Sequence, residues 1–380
     1  MKDIFGNIKR TSGTVGQKIL LVVAALAIIM VILAITGFNP MSVLQGIGRG
    51  FWKDIGGTLR WTAPLIFCGL AIAIPFRAGV FNLGIDGQLM LGAVTSAAIG
   101  LALFGKMPDV VVIILSLLGG VVAGMIWALI PGFFRVQWGT DEVVTTLLLN
   151  YIALLFTDFL VMGPLMGEGS TGTTYSTDSL AKGLWLPRII PQSAANIGLI
   201  IAIVLAIIAA VTLFKTTLGY EIKLVGTNPL FARYGGVRSK RVILTTFLIS
   251  GAIAGLTGAI EVFGVHHRFP GRFNTGLGFD GVVVSLLAGN NPVGIIFSGF
   301  LFGLLRNGAM NMERVTEIPR AMIDMVQAII VLTATGKFVL HKYKKRKVQL
   351  QTAPETGDKN NNVEMATEKN EFPAGEERKQ

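Results

Sequence analysis

The feature that most constrains this chain is a series of apolar runs close to bilayer thickness, separated by short polar segments. A helix needs about 20 largely apolar residues to cross hydrocarbon, and lipid leaves no other open structure able to satisfy its own backbone. The runs lie at Ile19–Ile35, Trp61–Pro75, Gln88–Phe104, Val110–Ile130, Glu142–Met162, Ile197–Phe214, Val242–Phe263, Phe279–Leu287, Pro292–Leu305 and Ala321–Leu340. They predict an all-α polytopic membrane protein of ten transmembrane helices, the second, eighth and ninth short enough to be broken or tilted. A charged fraction of 14% agrees with this, since soluble domains carry about 25%.

Lys2, Lys9, Arg10 and Lys18 before the first run give the layout of a signal peptide. The run is longer than a usual signal core and lacks a clear small-residue cleavage site, so an uncleaved first span is expected. Lys215, Lys223, Arg233, Arg238, Lys240 and Arg241 crowd residues 215–241, and Lys342, Lys344, Lys345, Arg346 and Lys347 follow the last run. Basic short loops stay on the cytoplasmic side. Residues 1–18, the 215–241 loop and the C-terminal flank are therefore all expected there, which an even number of spans allows. Arg49, Lys53 and Arg60 before the second run go against the pattern. The division expected is a cytoplasmic N-terminus (1–18), a transmembrane domain (19–340) and a polar, disordered cytoplasmic tail (341–380).

The net charge of +11 sits mainly in these short segments, without the aromatic-basic groove of a nucleic-acid binder or zinc-ligand spacing. Cys68 is the only cysteine, which excludes disulfides and multi-cysteine metal sites within the chain.

Two glycine motifs invite a nucleotide reading. GLGFDG at 276–281 spells G-x-G-x-x-G, and GLALFGK at 100–106 spells most of a phosphate loop. A dinucleotide fingerprint must follow a strand, open a helix and precede an acid about 20 residues on. GLGFDG instead follows the polar HHRFPGRFNT and no acid stands at that distance. In the second motif Met107 occupies the place of the magnesium-binding Ser or Thr. Neither is a nucleotide site.

GVFNLGIDGQ (79–88) and GRFNTGLGFDG (271–281) share G-x-F-N, a glycine-rich step, then Asp-Gly before an apolar run. Asp86 and Asp280 are 194 residues apart and, by span count, begin helices of opposite direction. An inverted repeat with broken helices meeting near the membrane middle follows. Broken helices line cavities or are buried in protein, so Phe81, Asn82, Asp86, Gln88, Asn274 and Asp280 are candidate pathway residues. Glu142, Thr146 and Asn150 form one polar stripe at helical spacing; Ser250, Thr257 and Glu261 form another, and Asp324 and Gln327 repeat the idea. Intramembrane polar groups face inward. For Thr146 and Ser250 helix-helix adhesion is the favoured role, and Asn150 is an equal candidate for the pathway. The pairs Gly120–Gly124, Gly251–Gly255 and Gly299–Gly303 permit close helix approach.

Within residues 215–241, Asn228 suits a helix cap, Pro229 its first turn and Gly235 its close. The resulting helix, Pro229–Tyr234, is too short to stand alone. It displays Leu230, Phe231 and Tyr234 beside Arg233, a surface that wants a partner groove.

LVGTNPLFARYGGV followed by FLISGAIAGLTGAIEVFG resembles the coupling loop and next span of ABC-importer permeases of the branched-chain amino acid and ribose type. FRAGVFNLGIDGQLMLGA, GTDEVVTTLLLNYIALL and GFDGVVVSLLAGNNPVG resemble the subgroup that imports nucleosides. The resemblance runs in order from about Thr58 to Gly308; SLLAGN replaces the commoner ALLG, and Phe231 stands where a small residue is usual. It implies a type II-like importer permease in a bacterial cell membrane, forming half of a pathway completed by a second homologous permease. Cargo would be delivered by a substrate-binding lipoprotein. ATP-Mg would be bound by separate ATPase subunits, leaving this chain without a cofactor, metal or catalytic residue. Gly226, Asn228, Pro229, Leu230, Phe231, Arg233, Tyr234 and Gly235 would couple to the ATPase. Neutral polar candidates fit an uncharged, hydrogen-bonding solute. Ribose-like sugars remain an alternative cargo, and an ion-coupled secondary transporter remains an alternative mechanism that leaves the coupling-loop resemblance unexplained.

The basic flanks predict that reporter fusions at both termini are active on the same, cytoplasmic, side; activity on opposite sides would break the ten-span arrangement.

Overall fold

The computed structural model describes residues 53–171, 174–273 and 276–315, with 41, 45 and 48 besides. The runs Ile19–Ile35 and Ala321–Leu340, both terminal segments, Asn274, Asp324 and Gln327 lie outside the described residues. Most of the described chain is helical: α1 (Ile55–Arg77), α2 (Ile85–Leu103), α3 (Asp109–Trp138), α4 (Glu142–Met162), α5 (Gly198–Lys215), α6 (Thr217–Thr227), α7 (Pro229–Tyr234), α8 (Ser239–Glu261), α9 (Leu277–Leu287) and α10 (Pro292–Val315). Among the described residues β-pairing is confined to isolated bridges. Among the described residues, seven helices are long and apolar enough to cross a membrane, and α9, with 11 residues, is a further short apolar helix.

The second and ninth runs differ from expectation. α1 has 23 residues and α10 has 24, so neither is short. The apolar run understates them because their ends are polar yet internally paired. Asn307 Nδ2 donates to Asp54 O (2.9 Å) and to Thr58 Oγ1 (3.2 Å), which joins the start of α1 to the later turns of α10. A buried, satisfied amide costs a helix little, but it lowers hydropathy.

α1 is the axis of the bundle. It packs against α5, α8, α9 and α10, and 78% of its apolar window is buried, against 17% for α4. Two interactions mark its ends. Near its start Arg60 pairs with Glu261 at the end of α8, and at its finish Arg77 Nε donates to Asn290 O after α9 (2.7 Å). Over the Arg60 end lies the connection between α4 and α5, tied down by Thr177 N to Phe269 O (3.0 Å), Leu180 N to His267 O (2.7 Å) and Leu186 N to Phe263 O (3.0 Å).

The paired glycines hold α2, α3 and α8 together. A Cβ on Gly124 would stand 2.8 Å from both Cα and N of Gly255, and one on Gly120 would stand 2.9 Å from Ala259 Cβ and 3.0 Å from Gly92 O. Small residues are enriched where helix backbones approach in lipid, since apolar burial gives no advantage there and close contact does.

Because backbone cannot yield as a side chain can, Gly255→Val should cost at least the roughly 1–3 kcal/mol of ordinary overpacking. Gly169→Ala, with open space around its Cβ, should leave the melting temperature in detergent unchanged. Equal stability of the two variants would contradict the backbone contact.

Candidate functional site

Between α1 and α2 the chain leaves helical geometry while enclosed by other helices. Its backbone groups then need partners from side chains, and the stripe on α4 supplies them. Phe81 N donates to Glu142 Oε1 (3.3 Å), Leu83 N to Thr146 Oγ1 (3.3 Å) and Gly87 N to Asn150 Oδ1 (2.8 Å). Asn150 Nδ2 returns a bond to Leu83 O (2.9 Å). Three residues at four-residue steps thus clamp seven residues of non-helical and first-turn backbone. The clamp itself is anchored: Asp141 caps α4 through Val143 N (2.8 Å), and Arg135 pairs with Glu142 (3.1 Å).

Behind this clamp, Asn82 and Gln88 exchange two amide bonds, both 3.1 Å. Asn82 Nδ2 also donates to Ser250 Oγ (2.8 Å), which donates to Ala71 O on α1 (2.5 Å). Asn82, Gln88 and Ser250 are all buried; Phe81 beside them is 46% exposed. Thr257, one stripe position further along α8, is buried and bonded to its own helix at Ile253 O (2.7 Å).

The second Asp-Gly segment meets the first. Gly278 N donates to Asp86 Oδ1 at 2.9 Å, a contact across 192 residues. α2 leaves this junction toward the Arg60 end, where Gly100 lies against Phe263. α9 leaves it toward the Arg77 end, finishing at Asn290. Two helices thus begin at one buried point and run apart. The glycines that imitate a dinucleotide motif are each accounted for there. Gly276 takes a left-handed φ of 63° before α9, Gly278 has no room for a Cβ beside Asp86, and Gly281 none beside Cys68 of α1.

Asp280 turns away from that junction to pair with Arg306 of α10. Arg306 lies over the Trp61 ring (4.0 Å to its centroid), and Arg60 covers it too (3.7 Å). Arg60 pairs in turn with Glu261 (2.8 Å), which His266 approaches at 3.8 Å. Of this chain only Asp280 and Glu261 are singled out by the sequence. Trp61, Arg60 and Arg306 carry no periodic signal, being 201 and 26 residues from their acidic partners. The one available hint is Arg60, a cation one residue from an apolar run. His267, just past α8, stacks on Trp185 (3.7 Å, 6° between planes), and burial holds its pKa below the usual imidazole value. Among the described residues no cluster of His, Cys, Asp or Glu could hold a metal ion.

At the Arg77 end, Asn228 Oδ1 caps α7 by accepting from Phe231 N (3.0 Å), with Pro229 in the first turn. Gly235 closes the helix with an ordinary φ, and it is Gly236 that takes the left-handed conformation (φ 80°). Tyr234 is 91% exposed, Leu230 69% and Phe231 61%. Gly226, at the end of α6, presses its Cα onto the backbone of Arg77 and Ala78, leaving no space for a side chain.

Comparison with known proteins decides what this arrangement belongs to. Residues 55–335 match the family model described as the branched-chain amino acid transport system permease component. The guanosine ABC transporter permease protein NupP of Bacillus subtilis is 36% identical over 86% of this chain and 95% of its own length. The nucleoside ABC transporter permease protein NupB of Lactococcus lactis is 35% identical over 82% and 87%. The glucose ABC transporter permease protein TsgB13 of Haloferax volcanii is 33% identical over 83% and 86%. The chain belongs to this permease family. It is a multi-pass membrane component of an ABC transporter, and its matched region holds the junction, the α7 helix and the Arg60–Glu261 pair together.

That pair gives the permease a measurable property. Removing one partner of a buried ion pair leaves a charge unpaired at a cost of about 3–5 kcal/mol, whereas replacing both with apolar groups is often neutral. Glu261→Gln should therefore lower the permease's unfolding midpoint in detergent, and Arg60→Met with Glu261→Leu should restore much of it. Additive losses would show that the two side chains do not act on each other.

Proposed function

We propose that this permease forms half of the translocation pathway of an ATP-driven importer for nucleosides. α7 is the observation that carries the ATP-driven part: a capped six-residue helix whose Leu230, Phe231 and Tyr234 point away from their own protein in a loop rich in cations. Such a helix gains stability only by inserting its apolar residues into a groove, and an ATPase subunit is the partner that the family reading supplies. ATP-Mg binds to that subunit, and this chain carries no cofactor. Gly226 then gives the coupling a short mechanical route, since α6 bears directly on the backbone where α1 ends. The 78–84 segment and the clamped junction follow immediately in the chain.

The nucleoside assignment rests on the names of NupP and NupB; the amides of Asn82, Gln88 and Asn150 are committed to the junction itself. The glucose permease relative makes sugar the second reading. Phe81 and Asp280 would stand toward the pathway, with Asn82, Asp86, Gln88 and Asn150 holding its wall in place; Asn274 belongs to the same set from the sequence repeat. A second homologous permease would supply the facing half, and a substrate-binding lipoprotein would deliver cargo at the Arg60 end. α7 would then lie at the cytoplasmic face of a bacterial cell membrane, with the N- and C-termini expected on the same side from the basic flanks of the sequence.

Two experiments test this. Phe231→Ala with Tyr234→Ala should abolish ATP-dependent uptake while membrane insertion remains normal; undiminished uptake would remove α7 from the mechanism. Gentle purification of the tagged chain should recover an ATPase, a second permease and a lipoprotein, and the lipoprotein should bind nucleosides in preference to sugars. Transport by the isolated chain in response to an ion gradient would instead support a secondary transporter.

A further inference from the structure

The Arg77 end of the bundle contains an apolar groove of about 430 Å³ between α5 and α8, floored by α3, α6 and α1. Leu205, Ile208 and Ala209 of α5 and Leu248, Ile249 and Ala252 of α8 line its length. Thr212 and Thr245 stand at its lower end, one on each helix. Thr245 Oγ1 donates to Arg241 O (2.8 Å), so its hydroxyl is already satisfied and presents no unmet polar demand to the groove. Ile208 at the mouth is 54% exposed. A groove this apolar suits a hydrocarbon chain and offers nothing to a polar solute.

Its end has the opposite character. Residues three and four apart on a helix share a face, which puts Lys215 one turn past Thr212 on α5 and Arg241 one turn before Thr245 on α8. Both are exposed, as are Lys223 and Lys240 nearby in the chain. Across 215–241 six Lys and Arg face a single acid, Glu221. An apolar slot that opens beneath exposed cations complements one kind of molecule in a bilayer: an acyl chain with a negatively charged headgroup. A zwitterionic lipid would fill the slot equally well but gain nothing from the cations.

We propose that this groove is a binding site for an anionic phospholipid, one acyl chain lying between α5 and α8 and the phosphate headgroup held by Lys215 and Arg241. The site is independent of the cargo and of the pathway residues. It joins α5 and α8 just where α6 and α7 emerge, so an occupied site braces the base of the coupling loop.

The full chain, purified in mild detergent and exchanged against phosphatidylglycerol or phosphatidylcholine, tests this by native mass spectrometry of retained lipid. Phosphatidylglycerol should be retained about 25-fold more strongly, because each of the two cations near the anionic headgroup contributes roughly fivefold. Lys215→Gln with Arg241→Gln should erase the preference without reducing phosphatidylcholine retention. Ile208→Trp, which narrows the mouth at an exposed position, should reduce retention of both lipids. Equal retention of the two lipids by the unmodified protein would overturn the proposal. So would a preference that survives the double substitution, or crosslinking from Ile208→Cys to residues 19–35, which would identify the chain's own first apolar run as the occupant.

Discussion

Every helix around the junction answers to one constraint: non-helical backbone enclosed by a membrane bundle must be hydrogen-bonded by the protein itself. Water can satisfy a surface loop, but an unpaired peptide group in an apolar interior costs several kcal/mol. Here the donors at Phe81, Leu83 and Gly87 and the carbonyl of Leu83 are met by Glu142, Thr146 and Asn150. That arrangement requires α4 to lie at one register against residues 81–87, although most of α4 faces outward. Few apolar contacts position such a helix, so its three polar residues do so instead.

The same constraint explains why the Asp-Gly pairs recur. A helix that begins inside the bundle exposes N–H groups with a partial positive charge, and two such ends placed together need a negative group between them. Asp86, in the first turn of α2, accepts from Gly278 in the first turn of α9, so a single carboxylate serves both helix starts. Asp280, the matching residue of the second segment, is thereby released to pair with Arg306. The two halves are alike in sequence and different in partnership.

Local rules made much of this legible in advance. The bounds of Glu142–Met162 coincide with α4, and the Asn228-Pro229 cap identifies α7, because both depend on neighbours within one turn. The stripe on α4 was legible as inward-facing, while its target was not: a four-residue step says which face is buried and nothing about whether backbone or cargo lies opposite. The lengths of α1 and α10 were obscured because hydropathy counts Thr58, Arg60 and Asn307 as polar without knowing that they pair with one another or with Glu261. The stacking of Arg306 on Trp61 left no local signal beyond the neighbouring Arg60, since it joins α1 to the distant α10.

The distribution of strength along α1 bears on how motion could pass through the molecule. Its Arg60 end is tied by a buried ion pair and by the amide of Asn307, while its Arg77 end is held by a bond to the Asn290 carbonyl, by Arg77 over the Phe214 ring and by backbone contact with Gly226. Close-packed contacts transmit displacement because they resist compression, so a push on α6 reaches Arg77 and Ala78 with little loss. The segment immediately beyond, 78–84, is non-helical and is held by side chains of α4 and α8. Were Gly226 replaced by Ala, the added methyl would separate α6 from α1 at their shared contact and weaken that transfer without touching the junction itself.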